Sequence, residues 1–339
     1  MKKVFAVILA LVVLCAALAA CGSGAKDPTG EPAQSEPAQG EPAGNEGNDA
    51  PAVQPMPDRE TMINANRHVV VQNRYNVFAL KADGTVIWAG KELDDMWSEI
   101  GTWTNIISLA VDDFHILGLR EDGTVVAAGS HANGICDVSD WTDIVGVAAS
   151  GTGSFGLKAD GTAVSTEAIL MNDPDYLFGM TNAVQLVAAQ DAHGFIVRFA
   201  DGTCKYGGSV QYSASDWTDI VDVGVEREYV FGLKADGTIL GGNLPASFQD
   251  ETYRWKDIVK LADYGCEMAL RKDGGVEIFN VTPELKEIID AWTDIAAISW
   301  RDYIIGVKTD GTAVAVAESY RDQSIAETVS GWSGLMLPR

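Results

Sequence analysis

The sequence predicts an all-β protein, a seven-bladed β-propeller of roughly 38-residue units whose ring is closed by the C-terminal segment. Three observations predict it. Asp-Gly pairs, or their equivalents, fall at 83–84, 122–123, 160–161, 201–202, 236–237, 273–274 and 310–311, at spacings of 39, 38, 41, 35, 37 and 37. A second marker precedes the later copies: Trp103-Thr-Asn-Ile, Trp141-Thr-Asp-Ile, Trp217-Thr-Asp-Ile, Trp255-Lys-Asp-Ile and Trp292-Thr-Asp-Ile. Short alternating apolar runs fill the space between, with no helical pattern.

Each hairpin follows from its turn. Phe78-Ala79-Leu80, Leu117-Gly118-Leu119, Phe155-Gly156-Leu157, Phe231-Gly232-Leu233 and Met268-Ala269-Leu270 lead into Asp-Gly, and Thr85-Val86-Ile87-Trp88 or Thr124-Val125-Val126 leads out. Gly84, Gly123, Gly161, Gly202, Gly237, Gly274 and Gly311 are expected to supply the positive φ of the turn. The middle of the first hairpin strand is small in every copy except the fourth, which has Ile196. That copy also replaces the tryptophan by Met180. A strand rich in small residues, such as Val147-Ala148-Ala149, follows each tryptophan motif and is expected nearest the axis. The first copy lacks the motif, and the chain ends on a spare one, Trp332-Ser-Gly-Leu. The two half-copies are complementary, so a closed ring is expected rather than an open solenoid. Trp103, Trp141, Trp217, Trp255, Trp292 and Trp332 are therefore expected to be packing residues.

The stretch from Val126 to Thr162, VAAGSHANGICDVSDWTDIVGVAASGTGSFGLKADGT, resembles the repeat of the regulator of chromosome condensation family in its short bacterial version. The likeness spans all seven copies, closest in copies 2, 3 and 5. The same superfamily includes a secreted bacterial β-lactamase inhibitor protein. The resemblance implies a seven-bladed propeller that works by binding proteins through its faces. Family copies often carry a histidine early in the second strand; here only His115 and His193 do, and each is expected to fix a turn through nearby backbone.

The N-terminal region reads as an address. Met1-Lys2-Lys3 is basic, Val4 to Ala17 is apolar, and Leu18-Ala19-Ala20-Cys21-Gly22 follows. This is the pattern of a secretory signal over 1–20, and Leu-Ala-Ala-Cys resembles a bacterial lipobox. The resemblance implies lipidation of Cys21 and an extracytoplasmic, membrane-anchored protein. Residues 21–58 form a tether holding seven of the 11 prolines, with Glu-Pro-Ala at 31–33, 36–38 and 41–43. Such a segment cannot bury a core. The propeller is expected over 59–339.

The net charge is −24, of which −20 belongs to residues 59–339. So acidic a surface repels phosphate backbones, which excludes nucleic acid as a partner. An exported chain also has no access to a small GTPase. Basic partners suit the charge better. Four scattered histidines make no metal site, no cofactor motif is present, and no catalytic constellation emerges, so an enzyme is not expected. Cys136, Cys204 and Cys266 occupy unequal repeat positions, and at least two of them read as buried small apolar residues.

The connections between the first and second strands of each copy vary while the framework repeats, as expected of function grafted on a scaffold. Tyr75, Phe114, Arg227, Tyr264, Trp300 and Arg301 in this ring of loops are the candidate binding residues, since aromatics and arginine dominate hot spots. The expected role is a monomeric, surface-anchored module binding or inhibiting an extracellular or envelope protein. The alternative is an extracellular carbohydrate-active enzyme, or a propeller that binds wall polymer. The enzyme needs two carboxylates converging from different blades, with Asp94-Asp95, Asp112-Asp113 and Glu226/Glu228 as its candidates.

Overall fold

The chain divides into two units, 1–51 and 52–339. The computed structural model describes residues 54–91, 97–166, 179–189, 194–208, 214, 216–226, 229–242, 248, 251–252, 254–262 and 267–338, all in the second unit. Cys21, the signal and most of the tether lie outside them.

Among the described residues, twenty-one strands form seven three-stranded antiparallel sheets, each an up-and-down meander of consecutive strands. Sheet 1 is β1 (Val70–Gln72), β2 (Asn76–Leu80) and β3 (Val86–Gly90). Sheet 2 is β4 (Ile106–Val111), β5 (His115–Arg120) and β6 (Val125–Gly129). Sheet 7 is β19 (Ile295–Trp300), β20 (Ile304–Lys308) and β21 (Ala313–Val316). Sheets 3 to 6 repeat the plan.

The seven Asp-Gly glycines all have positive φ, from 76° to 85°, as the hairpin turns require. The tryptophan motif also contains a turn. Its third residue is left-handed in every copy: Asn105, Asp143, Asn182, Asp219, Asp257 and Asp294 have φ from 56° to 62°, and Gly334 has 67°. Asn, Asp and Gly are the residues that tolerate this region. The small mid-strand residues answer to the indoles. A Cβ added to Gly118, Gly156 or Gly232 would come within 2.8–3.0 Å of Trp103, Trp141 or Trp217.

Among the described residues, most buried apolar side chains fall into seven clusters, one at each seam between successive sheets. One of them joins sheet 7 to sheet 1, packing Tyr303, Ile305 and Val307 against Val70, Val77 and Ala79. The ring is therefore closed. Hydrogen bonds show how. The amides of Ile106, Ile144, Ala183, Ile220 and Ile295 each donate to the turn glycine of the preceding sheet at 3.0–3.1 Å. Leu335 does the same to Gly311 at 3.0 Å. In sheet 2 the amide of Glu121 donates to the carbonyl of Asn105; in sheet 1 that of Ala82 donates to Gly334. Leu335 bridges Lys81 as Ile106 pairs with Arg120. The first strand of sheet 1 is thus made of two pieces, Leu335-Met336 from the C-terminus and Val70–Gln72 from the N-terminus. The join falls where the six other first strands carry a bulge.

Helices correct the strand-only expectation. α1 (Arg59–Ala65), α2 (Pro283–Asp290) and α3 (Gln323–Ser330) are short. Asp58, assigned to the tether from sequence, caps α1 by accepting from the Thr61 amide at 2.8 Å. Asn66 then fastens α1 to sheet 4, donating to the Val184 carbonyl at 2.9 Å and accepting from the Leu186 amide at 3.1 Å. Its carbonyl accepts from Ser108 of sheet 2 at 3.0 Å. Thr282 before Pro283, and Asp322, are the cap signals of α2 and α3.

The turns also set an acid limit. Asp83, Asp122, Asp160, Asp201, Asp236 and Asp310 each accept from the amide and hydroxyl of the threonine two residues on, at 2.6–3.0 Å. These bonds hold all six carboxyls below the ordinary aspartate range. Asp273 is held down by Arg271 and the Gly275 amide instead. A folded pKa below the unfolded value of about 3.9 adds stability above that value, lost as pH falls through the folded pKa. Among the described residues these seven, with Asp58 held down by its Thr61 cap bond, oppose a single raised carboxyl at Asp302. Urea midpoints should therefore hold steady down to about pH 5 and fall steeply below about pH 4. A midpoint flat to pH 2.5 would contradict this.

Candidate protein-binding face

The turns and the tryptophan motifs occupy one end of each sheet, and the loops between first and second strands occupy the other. At the loop end of sheets 7, 1 and 2 the described residues form one connected cluster. Asp113, in the loop of sheet 2, accepts from the Arg74 amide at 3.0 Å and pairs with the Arg74 guanidinium at 3.3 Å. It also pairs with Arg301 of sheet 7 at 3.1 Å. Asp302 pairs with Arg321, and burial raises its carboxyl above the ordinary range despite the nearby Arg321, Arg301 and Arg74. Gln72 of sheet 1 accepts from the Asp302 and Tyr303 amides at 3.1 and 2.9 Å and donates to Ser299 at 3.0 Å. The loops that meet at the closure seam are therefore stitched together by side chains.

Four of the sequence-predicted binding residues are described. Tyr75 and Phe114 are 42% and 54% exposed. Trp300 is half-buried against the seam of sheets 6 and 7. Arg301 is buried and spent on Asp113. Arg227 and Tyr264 lie outside the described residues. Sequence reading missed Trp88, Lys91, Tyr320 and Arg321, which lie in or after third strands, outside the loops expected to bind. The Lys91 ammonium sits 4.0 Å from the Tyr75 ring centre, and Arg321 lies 5.1 Å from that of Tyr320. Among the described residues, every exposed aromatic (Tyr75, Trp88, Phe114 and Tyr320) belongs to sheets 7, 1 and 2 or the connection after sheet 7.

His115 departs from its expected backbone role. Its Nδ1 lies 2.9 Å from Asp112 Oδ1 and its Nε2 2.8 Å from Ser154 Oγ, all three fully buried or nearly so. The order of groups resembles a nucleophilic triad, but no substrate can reach the hydroxyl, which also donates to the Ile135 carbonyl at 2.6 Å. The array joins sheet 2 to sheet 3. Asp112 and Asp113, one candidate acid pair, are thus occupied by His115 and by two arginines. Glu226 is described in backbone only; Asp94, Asp95 and Glu228 lie outside the described residues, as do His193 and Cys266.

The two described cysteines have suppressed thiols. Burial, chiefly, pushes Cys204 up to about 12 and Cys136 up to about 11, with Asp112 and Asp137 adding to the latter. Since the thiolate is the reactive form, iodoacetamide at neutral pH should alkylate both at least tenfold more slowly in the native protein than in urea. Equal rates, read by mass spectrometry, would contradict the burial.

No protein-family model and no curated protein matches the chain. Solved structures do. The entire ectodomain of the Physcomitrella patens receptor kinase CR4 is similar with a TM-score of 0.54 and 14% identity, over 75% of this chain and 74% of that one. The CRINKLY WD40 ectodomain of the Arabidopsis thaliana receptor kinase ACR4 gives 0.53 and 15%, over 75% and 97%. Prp20p from Saccharomyces cerevisiae gives 0.49 and 12%, over 77% and 84%. At such identities the likeness extends to the fold alone, and the fold is a propeller of seven blades.

Proposed function

We propose that this protein is a lipid-anchored interaction module, held outside the cell through Cys21, that binds another protein through the loops of blades 7, 1 and 2. The observation that carries the reading is the collection of exposed aromatics on blades 7, 1 and 2, beside Arg74 and Arg301, both paired with the largely buried Asp113. Aromatic and arginine side chains on a rigid, preorganised support are what tight protein contacts use. The lipobox, the signal pattern and the acidic Pro-rich segment support display on the extracytoplasmic side. The resemblance to a superfamily that includes a secreted enzyme inhibitor favours a secreted or envelope protein as partner. A carbohydrate-active role has less support, because the candidate pair whose side chains are described is already engaged, Asp112 by His115 and Asp113 by two arginines.

Two experiments test this. Palmitate labelling should mark the wild-type chain and not Cys21→Ser, and the variant should leave the membrane fraction. Immobilised full chain should retain a defined envelope or secreted protein at low and at moderate salt. Retention of none, with the ring folded by circular dichroism, would overturn the reading.

A further inference from the structure

We infer that Met336 is an oxidation site, and that its conversion to the sulfoxide by a peroxide loosens the closure of the ring. The inference goes beyond the binding reading and does not depend on it. The C-terminal segment places two adjacent side chains in opposite seams of blade 1. Leu335 is buried in the cluster that joins sheet 7 to sheet 1. Met336, half-buried, packs against the cluster that joins sheet 1 to sheet 2, which includes Phe78, Leu80, Trp103 and Ile106. Its amide donates to the Leu80 carbonyl at 2.9 Å. The second of the two holds on blade 1 is therefore made by a thioether. Other copies use an aliphatic side chain at this place: Ile107, Val145, Val184, Val221, Val259 and Ala296, each following the residue that pairs as Leu335 does.

The sulfur is also within reach. Met336 lines a cavity of about 610 Å³ at the turn end of the ring, with Ile63 of α1, Ile107 of sheet 2 and Leu337 of its own segment. Ala82, Glu121 and Pro338 share the wall and are exposed, so the cavity is open to solvent and to a molecule the size of hydrogen peroxide. Met62, Met180 and Met268 are buried. Met56 is half-buried against the cluster between sheets 3 and 4, and Met96 and Met171 lie outside the described residues. The reaction needs no catalytic group. A lone pair on Sδ takes one oxygen from the peroxide; the S–O bond forms, the O–O bond breaks, and the other oxygen leaves with both protons as water. Sulfur loses two electrons and the peroxide gains them. The product is polar, and an apolar seam gives its oxygen no partner, so the packing that the thioether supplied is lost.

The test treats the full chain with hydrogen peroxide, maps the sulfoxides by peptide mass spectrometry and follows unfolding in urea by circular dichroism. Met336 should oxidise about tenfold faster than Met62, Met180 and Met268 in the native chain, and the difference should vanish in urea. The oxidised chain should unfold at lower urea, its unfolded-to-folded ratio about tenfold higher at a given concentration, as for an ordinary loss of core packing. Met336→Leu, treated alike, should keep its midpoint, because leucine fills the same space without a sulfur. Met56→Leu should lose as much as the wild type. Oxidation of Met336 no faster than that of the buried three overturns the inference, and so does a chain oxidised at Met336 with an unchanged midpoint. A Met336→Leu chain that loses as much as the wild type also overturns it, by placing the effect at another methionine.

Discussion

Removing residues 332–338 should unfold the ring. The segment takes part in four backbone hydrogen bonds to sheets 7 and 1, from Leu335 to Gly311, from Ala313 to Trp332, from Ala82 to Gly334 and from Met336 to Leu80. At a net of about 1 kcal/mol each these give roughly 4 kcal/mol. Leu335 is buried in the seam cluster, and losing it costs a further 2–5 kcal/mol by comparison with other buried leucines, in round terms about 3. About 7 kcal/mol is of the order of the whole stability of a domain. The truncated chain should therefore show no cooperative melt by circular dichroism at room temperature, or a Tm far below that of the full chain. Single changes should grade the effect. Leu335→Ala should cost about 2–4 kcal/mol in urea unfolding. Gly334→Asn should be close to neutral, because Asn105 and Asn182 hold the same left-handed conformation in other copies; Gly334→Val should cost about 1–3 kcal/mol. A truncated chain that melts like the full one would mean that the ring does not depend on its clasp.

The second large effect is expected at Asp112. Its Oδ1 accepts from the Phe114 and His115 amides, both at 2.7 Å, and faces His115 Nδ1 at 2.9 Å. Asp112→Ala leaves these donors buried without an acceptor, and the penalty is about 3–5 kcal/mol. Asp112→Asn discriminates between the turn and the charge. In blade 1 the same place is held by Asn73, whose Oδ1 accepts from the Tyr75 and Asn76 amides at 2.9 Å. The asparagine should thus keep the turn and lose only the favourable contact with His115, costing about 1–2 kcal/mol. Equal losses for the two variants would show that the charge, and not the turn, is what Asp112 contributes.

Much of this architecture was legible in the chain because a repeat states its own plan seven times. The Asp-Gly pairs placed every hairpin, and the spare Trp332-Ser-Gly-Leu announced the clasp. What stayed hidden was whatever occurs once. α1 is seven residues without a clear apolar stripe, and its place depends on Asn66 meeting strands more than a hundred residues away. The left-handed residue of the tryptophan motif could have been read, since the set Asn, Asp and Gly is the one that tolerates positive φ. Fourth-copy exceptions show how far pattern reaches. Arg198 stands where five other copies have a buried leucine and the seventh has the buried Val307, and burial lowers its pKa. Its Nε donates to Gln185 at 3.2 Å, and Gln185 in turn reaches Asp222 of the next blade at 2.7 Å, where Lys260 also binds at 2.9 Å. The substitution is visible in sequence, but its compensation across two seams is not.

The candidate site was half legible for the same reason. Tyr75 and Phe114 lie in the loops that vary between copies and are exposed as a binding role needs. Arg301 and Trp300 share those loops but serve the scaffold, because neighbouring carboxylates and apolar walls lie within reach. Lys91 and Tyr320 fall in other connections, and only the folding of the ring brings those connections to the same seam.

The measurement that bears most directly on the central claim is retention of the partner by two pairs of variants of the full chain. Tyr75→Ala with Phe114→Ala removes exposed rings at the seam; Val259→Ala with Ile288→Ala removes apolar side chains of similar exposure on blade 6 and the connection after it. The first pair should lower retention at least tenfold, about 1.4 kcal/mol or more, with the melt unchanged, and the second pair should leave retention as it is. Loss in the second pair with full retention in the first would place the interaction elsewhere on the ring and contradict a seam-centred binding face.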